Sequence, residues 1–303
     1  MHYNNYQGGK ILPGRKYNMN KKLVGILIMT LLITTTIVTA TRITIEENTS
    51  SISNDVDVPI WEVGDSWTYN VQEYQYRYNP DGTVNALLNH NYTSIFTVIE
   101  ETEDSYIGET TSENIEGSFN CSYQLTFTPF TKITARVELK KSDLSIISST
   151  FQIKGLVKWY LPSIGISIPA YYSDTYERSF SPSSTYLPFP LSEGKTGMIP
   201  GGTLTGSEKM KLYFGIIKLV DAEYAIEYPE KEYQCEIATI TIPAGTYEAY
   251  KVSTDEGAQN YSYAYYVPEL GDIVKESYYY EYGETGKPFS YYEAELISTT
   301  FQQ

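Results

Sequence analysis

ITARVELK, residues 133–140, decides the fold: Ile133, Ala135, Val137 and Leu139 alternate with Thr134, Arg136, Glu138 and Lys140. On an extended chain successive side chains point to opposite sides, so this run has one apolar and one polar face only as a strand. An amphipathic helix would repeat its apolar positions every three to four residues. Comparable strand patterns occur at 92–99, 106–116, 121–127, 151–160, 235–242, 247–253, 261–267, 273–282 and 291–298. Between 67 and 78 the pattern changes phase. Trp67, Tyr69 and Val71 share one parity and Tyr74, Tyr76 and Tyr78 the other, which predicts a strand buried on both faces or a bulge near Gln72 and Glu73. Helix signals are few, so the sequence predicts a mainly β protein: a large curved antiparallel sheet or half-barrel in two strand-rich halves, after an N-terminal apolar helix.

The halves are expected at 60–160 and 203–303. Six of the 14 prolines fall in residues 161–202, together with many Ser and Gly, and this stretch reads as a connector. At the other end, Lys21 and Lys22 precede an uncharged run over residues 23–40. The five basic residues Lys10, Arg15, Lys16, Lys21 and Lys22 come before Ala40 with no acid among them. A basic flank followed by such a run is a signal peptide or a signal anchor, so residues 1–40 are expected to target the chain and everything after Ala40 to be extracytoplasmic, secreted or membrane-anchored through 23–40 if uncleaved. Residues 1–18, upstream of Met19, read as an over-long start, and 41–59 as a polar tether.

Composition limits the partners. All 37 acids but only 17 of the 22 basic residues follow Ala40, a net charge near −20, which repels phosphate backbones and excludes nucleic acid as a partner. The two cysteines, Cys121 and Cys235, are expected to form a disulfide in an oxidising compartment, the alternative being two buried thiols. Four Asn-x-Ser/Thr sequons, at Asn48, Asn91, Asn120 and Asn260, mark expected glycosylation sites.

No motif for catalysis emerges. His90 is the only histidine after Ala40, too little for Ser-His-Asp chemistry or a zinc site, and Gly201-Gly202 does not lead into a helix as a phosphate loop would. The chain is therefore expected to be no enzyme and to need no cofactor, although 37 acids leave room for a carboxylate pair of hydrolase type. Tyrosine is what stands out. Tyr263 and Tyr265 share a strand face at a spacing of about 7 Å, suited to a sugar ring or an acyl chain, and they are the candidate ligand-binding pair. The competing use is cross-strand packing. The sequence thus predicts a non-enzymatic protein binding a lipid, a glycan or a surface protein, with a structural cell-surface role second and a secreted hydrolase third.

Two phrases carry a family resemblance: WEVGDSWTY over 61–69, and IPAGTYEAY over 242–250 followed by YYVPELGDIV over 265–274. The chain resembles uncharacterised exported proteins, many of them archaeal, that have a W-x-x-G-D-x-W segment and a P-A-G-T-aromatic hairpin ahead of a Y-x-P-x-x-G turn. These are similar in turn to lipoprotein-carrier-like β half-barrels. The resemblance implies a curved sheet and brings no activity with it.

Overall fold

The computed structural model describes residues 55–78, 84–120, 125–128, 131–161, 164–213, 217–255, 261–281 and 288–301. The expected apolar helix, most of the tether, Asn48, Cys121 and Asn260 lie outside these residues, and of Asn120 only the backbone is described.

Among the described residues, fifteen strands form one open, antiparallel sheet. In chain order they are β1 (Ser66–Tyr78), β2 (Val84–Glu101), β3 (Ser105–Asn120), β4 (Leu125–Phe127), β5 (Lys132–Lys140), β6 (Ile146–Leu161), β7 (Ile166–Ser184), β8 (Thr196–Ile199), β9 (Gly202–Tyr213), β10 (Ile217–Tyr228), β11 (Lys231–Ile242), β12 (Gly245–Asp255), β13 (Tyr261–Val267), β14 (Asp272–Glu281) and β15 (Pro288–Thr299). Across the sheet the order is β10-β9-β7-β6-β4-β3-β2-β1-β15-β14-β13-β12-β11-β8, and β5 pairs with β3 and β6 beside the short β4.

The expected connector at 161–202 is corrected: it contains β7, the longest strand, together with β8. The inward row of β7 is Ala170, Tyr172, Asp174, Tyr176 and Arg178, so two charged residues interrupt the apolar alternation that marks a strand. The boundary between halves moves too. β9 and β10, expected in the second half, extend the first through β7, whereas β8 joins β11. Nor is there a bulge at Gln72. The shift lies between Thr68 and Tyr69, Glu73 continues the buried row of Trp67 and Val71, and Tyr74 stacks on Tyr291 from the other face at 5.0 Å.

The two edges of the sheet meet at one end. Ile199 of β8 pairs with Lys231, and Gly202 of β9 pairs with Tyr228, so the chain crosses between edges through Pro200-Gly201 and returns through Pro229-Glu230. Three extended residues span at most about 11 Å, and the sheet must curl to bring its edges that close. A Cβ on Gly201 would come within 2.5 Å of the Tyr228 carbonyl oxygen, which leaves room only for glycine at the crossing.

Among the described residues, three clusters form the core. The first joins Trp67, Val98, Tyr106 and Leu139 on β1, β2, β3 and β5 to Ala249, Val267 and Val274 on β12 to β14. The second lies over β6, β7 and β9, with Val157, Tyr176 and Leu212. In the third, Leu187 and Leu191 from the segment before β8 cover Tyr233, Cys235, Val252 and Tyr266. Each large apolar side chain buried in these clusters is worth about 1.5–3 kcal/mol relative to exposure. β11 serves two clusters, with Cys235 facing one and Ile240 and Ile242 facing another on the opposite parity. A strand that changes its buried face midway belongs to a strongly coiled sheet.

Candidate functional site

The phrases that carry the family resemblance meet in space. Trp61 Nε1 donates to the Gly271 carbonyl at 2.8 Å and Trp67 Nε1 to the Leu270 carbonyl at 2.7 Å. The Tyr69 hydroxyl donates to Asp272 Oδ2 at 2.7 Å, and the Trp61 backbone N–H donates to Tyr106 Oη at 3.1 Å. Gly271 turns with φ 66°, and a Cβ there would lie 2.6 Å from the Phe301 ring. Ala244 and Tyr247 of the 242–250 segment pack against the same cluster. These residues are a structural joint: their indoles and hydroxyls are used up in holding β1 to the Pro268–Gly271 turn.

A different face has chemistry to offer. Following the register across the sheet from β2 to β11, directly opposed residues form an unbroken row: Thr93, Asn70, Glu295, Lys275, Tyr265, Lys251 and Glu236. Two residues along each strand runs a second row on the same face: Asn91, Gln72, Glu293, Ser277, Tyr263, Ser253 and Gln234. Both cross without a slip, because the bulges fall outside them, between Thr68 and Tyr69, between Asn91 and Thr93 on the β3 side, and between Tyr265 and Tyr266. Apart from the buried Ser277, every member is half-buried or exposed.

Within this face the Tyr263 and Tyr265 rings sit edge to face at 5.5 Å, with a lysine on the strand to either side of Tyr265, which also packs against the first core cluster. Lys275 Nζ lies 3.2 Å from Glu295 Oε1 and 3.6 Å from Glu293 Oε1, and Lys251 Nζ lies 2.7 Å from Glu236 Oε1. Glu236 holds the Lys251 ammonium above its ordinary pKa against the opposing effect of burial, so it stays charged. Asn70, Gln72, Asn91, Thr93, Glu293 and Glu295 line a depression of about 370 Å³, within the size range of small-ligand sites. The Ser277 hydroxyl, between Glu293 and Tyr263 in register, has no hydrogen-bond partner among the described residues.

Carboxyls also gather under the opposite face. Asp174 and Glu208 are 1% and 4% exposed, and Asp174 Oδ1 and Glu208 Oε1 have no hydrogen-bond partner among the described residues. Burial pushes Asp174 up to about 6 and Glu208 up to about 8, Asp174 adding to the rise at Glu208, while Tyr176 and Arg178 oppose both shifts. Tyr172 donates to Asp174 Oδ2 at 3.1 Å. On β14, burial raises Asp272 to about 6 and Glu276 to about 7, and Tyr186 donates to Glu276. Among the described residues no group of three or more His, Cys, Asp or Glu is arranged to hold a metal, and no helix is long and apolar enough to cross a membrane.

Of the sequence-predicted residues, the structure brings Tyr263, Tyr265 and Asn91 onto one face. Asn91 is exposed there, opposite Gln72. Cys235 is a buried free thiol whose pKa burial raises, and its expected partner Cys121 lies outside the described residues. Sequence reasoning missed Lys251, Lys275 and Ser277, which become neighbours of the tyrosines only through strand pairing. It missed Asp174 and Glu208 as well, although their place on inward parities of β7 and β9 was a usable signal. No family model, no curated protein and no solved structure matches the chain.

Proposed function

We propose that this chain is a non-enzymatic extracytoplasmic binding protein, secreted or anchored through residues 23–40, whose curved sheet is of half-barrel type and whose polar face takes a glycan. The observation that carries this reading is the pair of unbroken rows in which Tyr263 and Tyr265, two strands from the 370 Å³ depression, share a face with the amides and carboxylates that line it. Sugars are bound by such a combination, an aromatic ring for the C–H face and planar polar groups for the hydroxyls. A lipid is a poorer fit, because Leu187 and Leu191 already fill the apolar ground on the other face of β11 to β13. The acidic carboxyl pair of β7 and β9 is buried to within a few per cent, which disfavours a hydrolase.

The test is a glycan and lipid binding screen with the purified full-length chain, alongside the Tyr263→Ala, Tyr265→Ala double variant. Glycan binding that falls at least tenfold in a variant with a cooperative melt supports the reading. Undiminished binding by that folded variant, or turnover of any glycan by the wild type, overturns it.

A further inference from the structure

Resting on that reading, we infer that the ligand is a neutral oligosaccharide and that the Ser277 hydroxyl is its contact at the floor of the site. Glu293, Ser277 and Tyr263 are directly opposed on three consecutive strands, β15, β14 and β13. At about 4.8 Å per strand the group spans about 10 Å, and the row of Glu295, Lys275 and Tyr265 runs beside it. Ser277 has the shortest side chain of the six and is 2% exposed, between the taller Glu293 and Tyr263. Its hydroxyl, without a partner among the described residues, is unusual, because buried polar groups are almost always hydrogen-bonded and leaving one unmet is destabilising. A hydroxyl group entering between Tyr263 and Glu293 meets that need, giving or taking one hydrogen bond.

Charge selects the class of sugar. Three carboxylates, Glu236, Glu293 and Glu295, face two ammonium groups, Lys251 and Lys275, and both lysines are already paired with them. A sugar acid meets a surplus of negative charge on this face, where both ammonium groups are taken, and an amino sugar must displace a lysine from its carboxylate. A neutral sugar needs neither. Its hydroxyls donate to the carboxylate oxygens and accept from the amides of Asn70 and Gln72 without disturbing the ion pairs.

Matched hexamers with equatorial and axial linkages decide the question, each as neutral glucan, uronic acid and amino-sugar forms, titrated against the full-length protein and against Ser277→Ala. We expect the neutral member to bind at least tenfold tighter than its charged counterparts. In Ser277→Ala that binding should weaken about tenfold while the melting temperature holds or rises. Tighter binding of an acidic or amino form overturns the neutral-sugar inference and leaves the glycan reading standing. Unchanged affinity in Ser277→Ala overturns the floor contact, and failure of every hexamer to bind overturns both the inference and the reading it rests on.

Discussion

Two regions of the sheet, the joint near its middle and the β7–β9 pair near one edge, treat buried polar atoms in different ways. At the joint of β1 with the Pro268–Gly271 turn, the indole N–H of Trp61 and Trp67 and the hydroxyls of Tyr69 and Tyr106 all have partners, at 2.7 to 3.1 Å. Under β7 and β9, Asp174 and Glu208 each keep one oxygen without a partner among the described residues. A satisfied polar network fixes one geometry, whereas a part-satisfied one depends on protonation to remain buried. The joint is therefore held chiefly by paired donors, although burial raises its Asp272 too, whereas the β7–β9 region depends on two carboxyls keeping their protons.

Breaking the joint should have the largest effect. Trp67 is fully buried and stacks on Phe96 and Phe301, so Trp67→Ala should lower stability by about 3–5 kcal/mol, read in urea unfolding at pH 7. A loss under about 1 kcal/mol would show that the joint does not hold the fold. Next is Tyr69→Phe, which removes the donor to Asp272 and should cost about 1.5–3 kcal/mol where that carboxyl is ionised. Because this hydroxyl opposes the rise at Asp272, the variant's carboxyl should titrate above about 6, as followed by NMR.

The carboxyl pair of β7 and β9 is tested by Glu208→Gln. Glu208, raised from 4.5 to about 8, and Asp174, raised from 3.8 to about 6, hold protons more tightly folded than unfolded. Their contribution is fully present below about pH 4 and is lost as pH climbs through 6 and then 8. The wild-type melting temperature should fall between pH 5 and pH 8. Glu208→Gln should flatten the part above pH 6, and an equal slope in both proteins would remove Glu208 from the account. The smallest effect on stability is expected at the polar face, where Tyr263→Ala, at a half-buried position, should cost under about 2 kcal/mol, less than a core aromatic. A loss as large as that at Trp67 would make Tyr263 part of the core.

Alternation makes β5 and most strands of the second half legible from residue order alone, because Ile133, Ala135, Val137 and Leu139 form an uninterrupted apolar row. β7 is hidden for the reason that makes it interesting: Asp174 and Arg178 occupy its inward row, and an acid in an apolar row reads as a loop. Tyr263 and Tyr265 can be picked as a pair from the sequence, since their spacing is local. Their lysine and glutamate neighbours arrive from β12, β14 and β15 through the pairings of Lys251 with Tyr265, Tyr265 with Lys275 and Lys275 with Glu295, which one strand's pattern does not encode.

The outermost strand bears on how this protein behaves at high concentration. Among the described residues, β10 has a neighbouring strand on one side only, and its other side is an invitation to stack one molecule on the next. Asp221, Glu223 and Glu227 are exposed on one face of that strand. Two molecules joined edge to edge about Tyr224 would set Asp221 against Glu227 twice over, with both copies of Glu223 between them. Like charges in register repel, so the acids at this rim act as a guard against aggregation, one that acid or concentrated salt would lower.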